Sequence, residues 1–468
     1  MFYKIILITS IILFGLSSGI IIRVFKERLN YSIVYINTTT TEVINQNGIG
    51  AESNETFSYN YRNIKPLLWD IKDSLILQKK DFIEADLSDM RLKVYQKGEF
   101  FKEYPILVKG EEGKWGETPA GLFKIRLRQR NHFSSLGQVY MPWNMVFQGN
   151  YSIHGWPYYP DGTLTSRSFS SGCINLSTED AEELFDIAEI GMPVLVLKKD
   201  FQNDGFIYNI PIEASKPPEL TAKSYLAADL KNGFVFLEEN PDLNLPIASV
   251  TKLMTALVSS EYSLLSFNQE MMSLIRITPE MVAPIGEIPD IKVGKRFSHF
   301  ALFYPLLMSS SNDAAEALAI SQNKNSFIKL MNERAQSLEM NATNFVDAYG
   351  YDEGNVSTVE DLFYLAKYLF NNRRWILDIT KGEIFNNFGP ISFRELKNLN
   401  LFYNEDEFIG GKVGSTPTAK KTGVFIFNLE VKDEQKPIAI ILLGSEDNKK
   451  DVELILSWIK SNFTAPLY

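Results

Sequence analysis

Residues 199 to 222 carry Asn203, Asp204, Gly205, Pro211, Pro217 and Pro218, a density of turn and breaker residues that no long helix or central strand tolerates. The interval suits a linker, with a second unit following it. Before it, short β-type runs such as LKVY (92–95) and VLVL (194–197) alternate with Gly and Pro. One helix interrupts them: Ser177 is a candidate N-cap with Asp180 three positions on, followed by an amphipathic run to Ile190 and a stop at Gly191. After the interval, β-type runs (YLAADL, FVFLEE, GVFIFNLEV, PIAIILLG) bracket helical patterns at 249–262, 312–321, 325–338 and 358–370. The pattern predicts a mainly-β unit followed by an α+β unit. A length of 468 residues suits two or three folded units, and no internal repeat is visible.

At the N-terminus, residues 5 to 22 run without a charge and as a helix would span about 27 Å, close to the thickness of a hydrocarbon core. The segment reads as a membrane anchor, with a cleaved secretory signal as the alternative because Ser17, Ser18 and Gly19 are small. Arg23, Lys26 and Arg28 follow it, and that flanking charge favours a cytoplasmic body. The expected division is an anchor over 1–28, a spacer over 29–81, a β unit over 82–199, a linker over 200–222 and an α+β unit over 223–463. Apolar residues at 45% and charged residues at 22% fit a body folded in water. A net charge of −10 is a poor match to a phosphate backbone, so no nucleic-acid partner is expected. Three scattered histidines and one cysteine offer no recognisable metal-ligand spacing, and neither metal nor cofactor is expected.

The single cysteine, Cys173, sits in Ser170-Ser171-Gly172-Cys173-Ile174-Asn175, and 15 residues separate Ser170 from His154 upstream. A thiol needs a base or a cation beside it to react near neutral pH, and His154 brought alongside could be both. Gly172 would let a backbone N–H approach a developing oxyanion. These residues, with Gly110 and Thr118-Pro119-Ala120-Gly121-Leu122-Phe123, resemble the L,D-transpeptidase catalytic family of bacterial cell-wall enzymes over roughly 85–198. The resemblance implies His154 as general base and Cys173 as acyl-accepting nucleophile, with Ser170, Ser171 and Gly172 at the substrate. It departs at Ser171, where the family has a second histidine. His132, in a polar stretch, and His299, on an apolar helix face, are read as a solvated loop residue and a satisfied core residue.

In the second unit, Ser249-Val250-Thr251-Lys252 opens a helical pattern, so a one-turn offset sets the hydroxyl and the amine on one face. Ser310-Ser311-Asn312 falls 61 residues after Ser249, and Lys412-Val413-Gly414-Ser415-Thr416 precedes a β-type run. The order S-x-x-K, S-x-N, K-x-G, with flanks LPIASVTKLMTAL, LLMSSSNDAAEALA and GGKVGSTPTA, resembles the low-molecular-weight D-Ala-D-Ala carboxypeptidases of the penicillin-binding, serine β-lactamase-like class over about 223–445. The resemblance implies Ser249 as nucleophile, Lys252 as its base, Ser310 and Asn312 as the proton-shuttling and orienting pair, and Lys412, Gly414 and Thr416 at the substrate. Val413 replaces a hydroxyl residue and predicts weakened grip on a terminal carboxylate. Lys421-Thr422-Gly423 spells KTG but lacks the flanks, and Lys412 is preferred. Trp115, Trp143, Trp156, Tyr158 and Tyr159 could line a groove or pack a core.

The fold class expected is multidomain: an N-terminal membrane helix, a mainly-β L,D-transpeptidase catalytic domain, then an α+β serine β-lactamase-like transpeptidase domain. The expected function is peptidoglycan modification: D,D-carboxypeptidation of pentapeptide stems feeding L,D-transpeptidation of tetrapeptides into 3-3 crosslinks. The partners would be stem peptides, β-lactams acylating the serine unit, and the membrane, with the catalytic body outside it. The alternatives are a membrane-tethered wall-binding protein with an inactive serine unit, and a β-lactamase.

Overall fold

The structure is a computed structural model that describes residues 61–68, 70–135, 137–166, 170, 172–199, 204–209, 215–262, 274–282, 291–383 and 396–464. Residues 64–468 form one compact unit, so the two expected catalytic halves share a single body. The uncharged run 5–22 lies outside the described residues. Among those described, no helix is long and apolar enough to cross a membrane.

The first half opens with helix α1 (Ile71–Leu77) and two sheets. Strands β1 (Phe82–Asp86), β2 (Arg91–Gln96), β3 (Glu99–Pro105), β4 (Gly121–Lys124) and β9 (Pro193–Leu197) form a five-stranded sheet in the order β3-β2-β1-β9-β4. The β1–β9 pair is parallel and inside the sheet, which explains why VLVL reads as an unbroken apolar run. Strands β5 (Leu127–Ser134), β6 (Val139–Gln148), β7 (Tyr151–His154) and β8 (Ile174–Asn175) make a second sheet in that order, with β7 and β8 parallel. Helix α2 (Thr178–Ile187) starts where the capping pattern predicts, Ser177 Oγ accepting from Asp180 N at 3.0 Å. It buries Ala181, Leu184 and Phe185.

The second half is built on a five-stranded antiparallel sheet. Its strands are β10 (Ser224–Asp229), β11 (Val235–Glu239), β16 (Phe408–Thr416), β17 (Lys420–Val431) and β18 (Glu434–Ser445), ordered β11-β10-β18-β17-β16. Two short ladders, β12 (Leu245–Pro246) with β15 (Val356–Ser357) and β13 (Leu274–Arg276) with β14 (Arg296–Ser298), flank it. The helices are α3 (Thr251–Glu261), α4 (Phe303–Leu307), α5 (Asn312–Ser321), α6 (Lys324–Ser337), α7 (Val359–Asn372), α8 (Arg374–Lys381) and α9 (Asn448–Ile459). Every residue of α3 is buried, so it is the central helix of this half.

Two segments expected as connectors are partly built into the body. Within the expected spacer, Ile64, Leu67, Leu68 and Leu75 are buried, Ile64 N donates to Gly233 O at 2.7 Å, and Leu68 N donates to the Glu339 carboxylate. Three apolar residues in five are too short a pattern to show a period in sequence. Within the expected linker, Tyr208 is buried, stacks on Phe234 at 4.7 Å and donates its hydroxyl to Asp229 at 2.6 Å.

The halves meet over a continuous apolar and ionic seam. Ala120 and Leu195 of the first half belong to the same core as Leu253, Met254 and Leu257 of α3. Trp115 packs against Trp375 (4.8 Å), Phe300 (5.6 Å) and Phe303 (6.0 Å), so it is a seam residue and not a groove wall. Glu261 pairs with Arg334 at 2.8 Å and Arg373 at 3.0 Å, all three side chains being buried. Lys198 Nζ donates to Glu117 at 2.7 Å, and Asn372 Nδ2 donates to the same carboxylate at 2.6 Å.

Candidate active sites

The cysteine site follows from strand alternation. On β7, Ser152 and His154 share one face and Ile153 takes the other. The register sets Ile174 of β8 beside Ile153, so Cys173 falls on the Ser152–His154 face. Ser152 Oγ lies 3.5 Å from Cys173 Sγ, and the thiol donates to Asn150 O at 3.6 Å. Burial pushes the Cys173 thiol up, but the hydrogen bond and charge of His154, with help from Ser152, bring it below its ordinary value. His154 Nδ1 is 2.7 Å from Gly155 O. A carbonyl can only accept, so Nδ1 carries the hydrogen and a neutral ring keeps its Nε2 lone pair for the thiol.

The turn before Cys173 is held from several sides. Ser170 Oγ donates to Cys173 O at 2.7 Å and accepts from Gly172 N at 3.2 Å. Thr118 Oγ1 donates to Gly172 O and accepts from Gly110 N, both at 2.9 Å. Gly172 is left-handed (φ +111°), and a Cβ there would come within 2.2 Å of the Tyr151 ring, so no side chain fits. Ser171 lies outside the described residues. His132 is not in a loop: it pairs with Met141 in the β5–β6 ladder, and burial together with the nearby His154 lowers its pKa. Polar residues break the apolar period of β5, which hid the strand. His299 is buried with Nε2 2.5 Å from Ser259 Oγ, and burial lowers it to about 4.

In the second half, Ser249 lies in a 3-10 turn (Ala248–Val250) that runs straight into α3. Lys252, one turn on, places Nζ 2.8 Å from Ser249 Oγ and donates to Tyr349 O at 2.6 Å. Burial, then the nearby Lys412, hold the Lys252 amine well below its ordinary value, with Asp347 opposing them. Ser310 is left-handed (φ +57°) at the junction before α5, and Asn312 is the first residue of that helix. Lys412, Gly414 and Thr416 lie on β16. A Cβ on Gly414 would come within 2.7 Å of Ser249 N, so this strand runs against the nucleophile's own turn. Lys412 is fully buried, donates to Val413 O at 2.8 Å, and is lowered by burial to about 7. The competing Lys421-Thr422-Gly423 is on the neighbouring strand β17, where Thr422 pairs with Gly414 and donates to Ile247 O at 2.8 Å.

Against known families, the model for D-alanyl-D-alanine carboxypeptidase matches residues 212–446, half of the chain. A D-alanyl-D-alanine endopeptidase of Escherichia coli (strain K12) is 30% identical over 261 residues, covering 53% of this chain and 81% of that protein. The chain belongs to the D-alanyl-D-alanine carboxypeptidase family. This family member also carries an L,D-transpeptidase catalytic domain, whose model matches residues 80–196. A D-alanyl-D-alanine endopeptidase of Pseudomonas aeruginosa is 40% identical over 163 residues, 32% of this chain, and the match spans about half (51%) of that relative's length. The D-alanyl-D-alanine carboxypeptidase of Mycobacterium tuberculosis shares 21% identity at a TM-score of 0.45, covering 54% of this chain and 96% of that one.

Several residues at these sites carried no sequence signal of their own. Gly155 and Asn150 act on the cysteine site through their carbonyls, and Ser152 through strand alternation. Tyr349 meets Lys252 only by its carbonyl, which any residue could supply. Among the described residues, no group of three or more His, Cys, Asp or Glu is placed to hold a metal ion.

Proposed function

We propose that this carboxypeptidase-family member remodels peptidoglycan by two metal-free acyl transfers, a cysteine L,D-transpeptidation and a serine D,D-carboxypeptidation. The observation that carries it is the presence of two nucleophile–base pairs in one body: Ser249 with Lys252 at 2.8 Å, and Cys173 on the His154 face of the β7–β8 pair. At the serine site, Lys252 takes the Ser249 proton while Oγ attacks the carbonyl of the fourth-position D-Ala. The C–N bond to the terminal D-Ala breaks, the leaving nitrogen receives the proton, and water later hydrolyses the ester. Ser310 and Asn312 shuttle protons and orient the stem, while Lys412, Gly414 and Thr416 face its terminus.

The product is a tetrapeptide stem, the acyl donor of the cysteine site. There His154 takes the Cys173 proton, Sγ attacks the third-residue carbonyl, and the fourth D-Ala leaves with the proton. A side-chain amine of another stem then attacks the thioester, returning sulfur to the thiol and making a 3-3 link. Gly172 with Ser170 and Ser171 would border the carbonyl. Both substrates lie outside the cytoplasmic membrane, so the body would face the wall, held by the segment 5–22.

A second reading of the serine site is endopeptidase cleavage of existing crosslinks. Val413 and the buried Lys412 favour it, because both weaken the clamp on a free terminal carboxylate, and both curated relatives above are endopeptidases by name. Mass spectrometry of pentapeptide, tetrapeptide and crosslinked muropeptides incubated with the protein tests all three activities. Cys173→Ala should abolish dimer formation while trimming continues, and Ser249→Ala the reverse. Unchanged dimer yield in Cys173→Ala would refute the cysteine assignment.

A further inference from the structure

We propose that Asp347 is a positioning residue for Lys252, acting through the Tyr349 carbonyl. Asp347 lies in the loop between α6 and β15 and is 7% exposed. Its Oδ1 accepts from Tyr349 N at 2.9 Å and from Gly350 N, and its Oδ2 accepts from Asp352 N at 2.9 Å. One carboxylate thus gathers three consecutive-turn N–H groups, leaving the Tyr349 carbonyl to point away from the turn. That carbonyl accepts from Lys252 Nζ at 2.6 Å, and the adjoining Ala348 O accepts from Thr255 Oγ1 at 2.5 Å. Two side chains of α3 are therefore docked on the turn that Asp347 shapes.

The turn cannot shift away cheaply. Gly350 is left-handed (φ +79°), and a Cβ there would lie 1.9 Å from Ala248 O, one residue before the nucleophile. The chemical consequence concerns the amine's directions. A neutral amine has two N–H bonds and one lone pair; with one N–H committed to Tyr349 O, only the second N–H or the lone pair can face Ser249 Oγ, 2.8 Å away, and the lone-pair orientation is the one that accepts a proton. The negative charge of Asp347 also favours the protonated form of this amine, against burial and Lys412 of β16. Glu316 of α5 and Asp352 act on the Tyr349 phenol instead. No motif of the sequence singles out Asp347.

The inference rests on the serine acyl-transfer reading, and one experiment separates the two. Acylation by a fluorescent penicillin is resolved into its pre-acylation binding constant and its acylation rate, from pH 5 to 10, for the full chain and for Asp347→Asn and Asp347→Ala. If the parent is not acylated, the serine reading fails. If it is, Asp347→Asn should keep the binding constant and the melting temperature but lose about 10- to 100-fold in acylation rate, as expected for a misaligned base. Its acid limb should also move to lower pH, because an ammonium without a negative neighbour gives up its proton more readily. Asp347→Ala should lose more. Should Asp347→Ala not fold, Asp347→Asn carries the measurement: its side-chain oxygen can keep the turn folded, while its amide nitrogen cannot accept from Asp352 N, so the carboxylate's three-point hold and its charge are lost. An acylation rate and acid limb equal to the parent's overturn the proposal. So does a joint fall of binding, rate and melting temperature in Asp347→Asn, which would mark a merely structural role.

Discussion

Gln148 Nε2 donates to Glu261 Oε2 at 3.3 Å, joining the β6–β7 hairpin of the cysteine half to the last residue of the helix that carries the serine half's Lys252 in its first turn. Tyr262 adds a second link, its hydroxyl donating to Gln148 Oε1 at 2.6 Å. The hairpin that Gln148 ends also supplies Asn150, whose carbonyl accepts from the Cys173 thiol. The two sites are thus attached to opposite ends of one buried helix.

This seam predicts a single unfolding transition. Glu261→Gln leaves Arg334 and Arg373 buried without their anion, and breaking a buried pair by removing one partner costs about 3–5 kcal/mol. Denaturant unfolding of the variant should show an unfolding free energy lowered by that amount, with penicillin labelling at Ser249 and transpeptidation at Cys173 lost together. Two separated transitions, with one activity surviving the other, would contradict a shared body.

The cysteine pair sets a pH expectation. His154 and Ser152 hold the Cys173 thiol below its ordinary value, so the rate of iodoacetamide alkylation should reach half its plateau at a lower pH than that of a free cysteine. In His154→Ala the burial of the thiol is opposed by Ser152 alone, and the midpoint should rise above the parent's. Equal midpoints in parent and variant would remove His154 from the site.

Much of this architecture is legible in the chain itself, and the losses have particular causes. Helices with a strong cap or a breaker at each end read well: Ser177 with Asp180 gives α2, and the run from Thr358 gives α7, capped by Thr358 Oγ1 on Asp361 N. The three serine-half motifs read well because each is local. The seam does not, since Glu117, Lys198, Glu261, Arg334 and Arg373 look like ordinary surface charges and are identified only by burial in one another's company. The same holds for Asn150 and Tyr349, which contribute carbonyls, and for the short segment 64–68, whose apolar residues are too few to show a period.

Lys412 predicts how the serine site responds to pH. Its amine is lowered by burial to about 7 from 10.5. Below pH 7 the amine is charged and can grip a carboxylate; above it, binding a carboxylate must draw in a proton. KM for a D-Ala-terminated pentapeptide should therefore rise as pH passes upward through 7. For stability the sign is opposite: between about 7 and 10.5 the unfolded chain holds more protons, so this lysine's contribution improves with rising pH. Restoring the missing hydroxyl with Val413→Thr adds a hydrogen bond to a charged group, about 1.5–3 kcal/mol, and should raise kcat/KM for that substrate roughly tenfold or more. A KM flat from pH 6 to 9, in parent and Val413→Thr alike, would mean that Lys412 does not face the carboxylate.

Thr118 offers the most selective probe of the cysteine turn. Its hydroxyl sits between Gly110 N and Gly172 O, satisfying a buried donor and a buried acceptor at once. Gly110 has no room to adjust: a Cβ there would lie 2.7 Å from the Gly172 Cα. Thr118→Val keeps the shape and removes the hydroxyl, leaving two buried backbone groups unpaired at a cost of about 1–3 kcal/mol each. The relief available is rotation of the Gly172 carbonyl, which turns the Cys173 N–H of the same peptide plane away from a developing oxyanion. Transpeptidation should fall by about 10- to 100-fold. Penicillin labelling at Ser249 should be unchanged, because the Thr118 hydroxyl is bonded within the cysteine half and its neighbour Glu117 still holds Lys198 and Asn372. Dimer yield equal to the parent's in timed muropeptide assays would show that the Gly172 carbonyl needs no such tether.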